Sequence, residues 1–164
     1  MILALWAMSA AKTMAEPVQS YDWRFFTDQV MGGLSEGQAR IDAQGLHLTG
    51  QVSTANNGGF IQARSEDVRV PQEAQGLRIR VRGDGQRYFI HLRTSGTLLP
   101  WQYYQAGFDT NGDWQEITLP FESFAPSGRM LRDTPRPDDI RSVALVAYGR
   151  DHSADIRLSA LSGY

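Results

Sequence analysis

Gly33-Leu34-Ser35-Glu36-Gly37 has the G-x-S-x-G form used by serine hydrolases, and His47, His91 and His152 are the bases such a serine could recruit. That pattern does chemistry only when a strand enters the serine and a helix leaves it, lifting the hydroxyl above a parallel sheet. Gln38 to Asp42 reads instead as strand or loop, and no strand–helix alternation runs along the chain. A glycine-rich turn is therefore expected here, with no catalytic residue. Asp109-Thr110-Asn111-Gly112-Asp113 opens like a calcium-binding loop, but Trp114 and Pro120 occupy the positions that need glycine and glutamate. An Asx-rich hairpin turn without metal explains the same residues. The carboxylate pairs Glu66-Asp67 and Asp138-Asp139 are chain neighbours. On a strand such neighbours point to opposite faces and make no glycosidase dyad. The absence of cysteine removes thiol catalysis, disulfides and cysteine-based metal sites. No metal and no cofactor is expected.

The polar residues that share a strand face are more informative. With a period of two, Phe60, Gln62 and Arg64 lie together, as do Phe89, His91 and Arg93, and Trp101, Tyr103 and Gln105. Faces that mix aromatics with Arg, His and Gln suit a flat polar ligand, either a sugar or a peptide segment. The alternative is structural: arginines pairing with nearby carboxylates, and aromatics covering sheet surface.

The elements that must position these residues are strands. Leu77, Ile79 and Val81 alternate with Arg78, Arg80 and Arg82, giving one apolar and one wet face. Gly83-Asp84-Gly85 then reads as the turn of a β-hairpin into Tyr88–Thr94. Further strands are expected at 45–54, 59–65, 101–109, 114–119, 142–148 and 154–161. Gly, Asn, Asp and Pro punctuate them at intervals typical of sandwiches. Residues 126–139 read as a long surface loop, with a short helical turn near Pro137–Ile140.

The chain has 164 residues, enough for one domain with a real core, and a net charge of -2 that offers no global basic field for nucleic acid. Lys12 is the only lysine, so arginine carries nearly all the positive charge. Ile2–Ala11 is apolar but too short to span a bilayer, and Thr13-Met14-Ala15 resembles a signal cleavage site, although no basic residue precedes the stretch. Residues 1–19 are accordingly set apart as an export signal or disordered lead, and 20–164 as a single β-sandwich domain. Export to a periplasm-like compartment is slightly favoured over the cytoplasm.

Several segments together resemble the complex I intermediate-associated protein family, the NADH:ubiquinone oxidoreductase assembly-factor domain. They are Phe26 to Ser35, Asn57-Gly58-Gly59-Phe60 with Arg64, Val81 to Gly85 with Tyr88, Leu92 and Arg93, then Trp114, Leu119-Pro120-Phe121 and Phe124. The resemblance implies a galactose-binding-like jelly-roll sandwich, all-β and antiparallel. It also implies a binding or chaperone role, of the bacterial branch, with an unidentified protein as partner. Carried over by residue, the matching polar positions are Asp28, Ser35, Arg64 and Arg93. Asp28 is expected to orient Arg64, while Arg93 and its neighbours present a polar binding face; His91 and Tyr103 join the candidate binding residues from the strand faces read above. A carbohydrate-binding module of the same fold is the alternative reading, and a hydrolase is the third.

Overall fold

The computed structural model describes residues 16–164. The stretch read above as an export signal lies outside the described residues, apart from Glu16 onward. In chain order the strands are β1 (Glu16–Pro17), β2 (Arg24–Thr27), β3 (Glu36–Asp42), β4 (Gly45–Val52), β5 (Phe60–Ser65) and β6 (Gly76–Gly83). They continue with β7 (Arg87–Thr94), β8 (Tyr104–Asp109), β9 (Trp114–Pro120), β10 (Ala125–Pro126), β11 (Ile140–Tyr148) and β12 (His152–Gly163). The first sheet runs β3-β4-β12-β6-β9, with β1 added against β12; the second runs β10-β8-β7-β11-β5-β2. Every pairing is antiparallel. Among the described residues the helical elements are short 3-10 turns, one of them at Pro137–Asp139 where a helical turn was expected.

The core lies between the sheets. Leu46, Leu48, Leu77, Ile79 and Ile156 of the first sheet meet Ile61, Tyr88, Ile90, Leu92, Tyr104 and Leu145 of the second, all essentially without exposure. Truncating one such aliphatic side chain to alanine costs roughly 2–5 kcal/mol, from lost burial and the cavity left behind. The sandwich begins earlier than the expected boundary at residue 20. Glu16 and Pro17 pair with Leu161 and Ala160. Val18 is fully buried, and its carbonyl accepts the Trp23 Nε1 hydrogen at 2.8 Å.

Two turns differ from expectation in the same way. Gly83-Asp84-Gly85 does not close a hairpin, because β6 pairs with β12 and β9 while β7 pairs with β11 and β8. The chain crosses there from one sheet to the other. Side chains from elsewhere hold the crossing: Tyr88 Oη donates to Asp84 Oδ1 at 2.8 Å, and Thr110 Oγ1 accepts the Gly85 amide hydrogen at 3.1 Å. Asp109–Asp113 likewise links β8 of the second sheet to β9 of the first. The Asx turn is present, with Asn111 Oδ1 accepting the Asp113 amide at 3.0 Å, but the hairpin is not.

The outer face of the first sheet is a satisfied, solvated one. Arg78 pairs with Glu116 at 3.3 Å and lies over Tyr164, Arg80 lies 4.4 Å over the Trp114 ring, and Arg82 Nε donates to the Gly112 carbonyl.

Candidate functional site

The motif residues Asp28 and Ser35 form a buried knot rather than a site. Thr27 Oγ1 accepts the Gln29 amide at 3.1 Å and opens the single turn Asp28–Met31, which ends at Gly32 in the left-handed region, φ 85°. Asp28 and Ser35 both have zero exposure. The Asp28 carboxylate accepts the Ser35 amide at 2.9 Å, the Ser35 hydroxyl, and the amides of Gly59 and Phe60. Burial alone would raise this carboxyl's pKa; the four hydrogen bonds outweigh it and hold the group below the usual carboxylate value. The wrap is tight: a Cβ on Gly33 would stand 2.4 Å from Asp28 Cγ. Ser35 Oγ in turn accepts the Ser53 amide at 2.9 Å, so the knot ties the end of β4 in one sheet to the start of β5 in the other.

This corrects two expectations. Asp28 does not orient Arg64, since its oxygens are taken by backbone amides and Ser35; Arg64 instead lies 4.4 Å over the Phe26 ring. Neither Asp28 nor Ser35 can touch a ligand from its buried position. The G-x-S-x-G match also loses its chemistry. A strand, β3, follows the serine, its hydroxyl is committed, and no histidine is among its partners. His47 pairs with Asp155 at 2.8 Å and His152 bonds the Arg150 carbonyl.

The remaining candidates do come together, on the outer face of the second sheet. Burial alternates along β5 and puts Ile61, Ala63 and Ser65 inward, leaving Phe60, Gln62 and Arg64 outward. Pairing through β11 then sets Arg64 opposite Ala144 and His91 opposite the same residue on the other side. His91 is nearly covered: the Tyr103 ring stacks on it at 4.2 Å and 8°, and the Tyr148 ring meets it edge-on at 6.0 Å. Its Nε2 bonds Gln105 Oε1 at 2.7 Å. Burial pushes the imidazole down to about 4, against the opposing pull of the Gln105 bond. His91 is therefore neutral at pH 7 and donates from Nε2. Burial raises the Tyr103 hydroxyl, and a hydrogen bond with Tyr148 adds to the shift. Phe89 lies edge-on to Tyr148 at 5.9 Å. The centre of the face is thus a packed aromatic platform over small or aliphatic β11 residues.

One end of this face opens into a recess of about 520 Å³ lined by Arg64, Glu66, Arg93, Arg141, Ser142 and two threonines. Arg93 Nη2 donates to the Thr97 and Leu99 carbonyls, each at 3.1 Å, and so fixes the connection from β7 to β8. That connection carries Leu98, 83% exposed, and Trp101, 68% exposed. Trp101 precedes β8 rather than lying on it, which departs from the shared face expected with Tyr103 and Gln105.

Arg141, Tyr148 and Phe26 belong to this surface and escaped the sequence reading. Their strands explain why. Ser142–Ala147 is buried on both faces, so no alternation marks the outward residues of β11; only strand pairing with β5 and β7 reveals them.

Comparison with known proteins places the fold and the family. Among solved structures, the chain is similar to the Family 11 Carbohydrate-Binding Module of cellulosomal cellulase Lic26A-Cel5E of Clostridium thermocellum. The TM-score is 0.64 at 14% identity, over 87% of this chain and 88% of that one. A structure of the Family 11 module from Clostridium thermocellum in complex with a β-1,3-1,4-mixed-linked tetrasaccharide gives 0.62 at 13%, over 85% and 86%. The agarase AgWH50C gives 0.57 at 12%, over 87% of this chain but only 22% of that one. At such identities the likeness is one of fold, and it shows a β-sandwich of the galactose-binding-like kind. No curated protein matches. A family model described as Complex I intermediate-associated protein 30 matches residues 12–159, a span that contains every motif segment named above. The chain belongs to the Complex I intermediate-associated protein 30 family.

Proposed function

We propose that this chain is a non-catalytic module that binds a partner protein on the outer face of its second sheet, in the manner of an assembly factor. The observation that carries this reading is the composition of that face. Aromatic side chains and arginine gather there beside exposed Leu98 and Trp101, the mixture that dominates protein–protein hot spots. On the first sheet Arg78 is ion-paired with Glu116, Arg80 lies over the Trp114 ring and Arg82 donates to the Gly112 carbonyl. The family name supports the reading through the association with complex I intermediates that it states.

Native crosslinking pull-down tests it, with wild type beside Phe60→Ser/Tyr148→Ser on the face and Arg80→Ala on the first sheet. One defined protein set should be recovered by wild type and Arg80→Ala and lost from the face variant. Equal recovery by all three would remove the face from the account.

A second reading, carbohydrate binding, draws on the ring surfaces of Phe89 and Tyr148 and on the sugar-binding modules that share the fold. Calorimetric titration with a mixed-linked glucan tetrasaccharide decides it. Heat that saturates for wild type but not for the face variant would favour the sugar, above all if no protein is enriched.

A further inference from the structure

Beyond the face as a whole, its arginine-lined end has a chemistry of its own. β11 supplies the floor, and there its outward residues are small: Ser142 stands opposite Arg93 of β7, and Ala144 opposite Arg64 of β5. With no long side chain between them, the two arginines form the walls of a trough rather than a packed surface, and Arg141 lines it as well. Three guanidiniums meet one carboxylate there, Glu66, in a chain whose net charge is -2.

Among the described residues none of the three guanidiniums is ion-paired: Arg93 and Arg141 donate to neutral carbonyls. Arg64 makes no hydrogen bond among the described residues and rests on Phe26. Desolvation lowers its pKa first, and the charge of Arg93 lowers it further, with Glu66 opposing. Two further carboxylates line an adjoining recess with Arg64: Asp22, which pairs with Arg24 at 3.7 Å, and Asp67, which accepts the Asp22 amide at 2.9 Å. Two like charges held across a floor of small residues attract an anion, and the planar guanidinium fork fits a carboxylate bidentately. Arg141 donates to the Asp138 and Ile140 carbonyls at 2.9 and 3.3 Å, which anchors it at the rim.

We propose that the recess bounded by Arg64, Arg93 and Arg141 is a carboxylate pocket that takes Asp or Glu side chains from an extended acidic segment of the partner protein. The proposal rests on the protein-binding reading. A peptide source fits because Thr97, which lines the pocket, leads directly into exposed Leu98 and on to Trp101, so acidic and apolar side chains of one segment can be engaged together.

The test is titration of isotope-labelled protein, followed by arginine Nε and backbone amide resonances, with a capped hexaglutamate peptide. Hexaglutamine, trigalacturonate and inorganic phosphate are the comparison probes. Hexaglutamate should shift Arg64, Arg93 and Ser142 saturably and lose affinity as salt rises. Arg64→Gln/Arg141→Gln should weaken it by about tenfold or more, as loss of charge-assisted bonds requires, while Arg78→Gln on the first sheet leaves it unchanged. Preserved amide spectra in both variants exclude misfolding as the cause. Absence of saturable shifts, equal loss in the Arg78 variant, or tighter binding of trigalacturonate or phosphate than of hexaglutamate would each overturn the pocket. Recovery of the cellular partner by Arg64→Gln/Arg141→Gln, with the aromatic-face variant still failing, would overturn the pocket alone and leave the protein-binding reading standing.

Discussion

Asp28 gathers in one side chain the contacts that join its turn to Ser35 and to the start of β5. A fully buried carboxylate that accepts four hydrogen bonds cannot be replaced by its amide without turning one oxygen into a donor facing a backbone N–H. Asp28→Asn should therefore destabilise the fold by about 3 kcal/mol, read from chemical denaturation, with the two sheets loosened at the Ser53–Ser35 link. A near-zero change would show that the knot contributes little. His91 contributes to acid sensitivity. Its folded pKa of about 4 lies below the ordinary 6.5, so between those values the unfolded chain binds the proton that the native chain refuses. Stability is full above 6.5 and falls as pH drops toward 4, by on the order of 3 kcal/mol over the whole interval. Of its partners, Gln105 carries no titrating group, and burial raises the Tyr103 hydroxyl away from that window. Asp28 acts lower down: its contribution is present above 3.8 and is lost as pH falls through its depressed value. Denaturation midpoints for wild type and His91→Gln from pH 7 to pH 4 check this, and the variant's loss should be clearly smaller.

At the scale of elements, one hydroxyl ties the inter-sheet crossing at Asp84 to β12. Tyr88 Oη donates to Asp84 and accepts the Asp155 amide at 2.9 Å, joining the crossing to β12. Removing it in Tyr88→Phe leaves that buried ring in place and should cost about 1–2 kcal/mol, with faster amide exchange at Gly83–Arg87 than elsewhere. Uniform exchange would contradict the local role. The same crossing shows what alternation can and cannot disclose. Leu77, Ile79 and Val81, and Phe89, His91 and Arg93, were legible as faces because side chains repeat every two residues. Which strand lies beside which was not legible, because an apolar face is buried equally well beside a neighbour or across a core. Arg64, His91, Arg93 and Tyr103 therefore emerged from sequence on three separate strand faces, whereas their meeting on one surface, with Arg141 and Tyr148, waited on the register of β11. Asp28 and Ser35 were misjudged for a different reason. Their hydrogen bonds reach Gly59, Phe60 and Ser53, well separated in the chain, and a polar residue destined for burial carries no local mark.

At the scale of the molecule, the two outer faces have different fates. Arginines on both faces have internal partners, but the second sheet also assembles an aromatic platform, an arginine-lined recess and an exposed Leu98–Trp101 connection on one side of the sandwich. The knot and the crossing turns tie the two sheets together beneath it. The most direct measurement places a photo-crosslinking phenylalanine derivative at Tyr148, which is 38% exposed on the second sheet, and separately at Trp114 on the first, in the cells that make the protein. The account predicts one defined protein adduct from position 148 and none from position 114. Adducts from position 114 alone, or the same adducts from both, would contradict it.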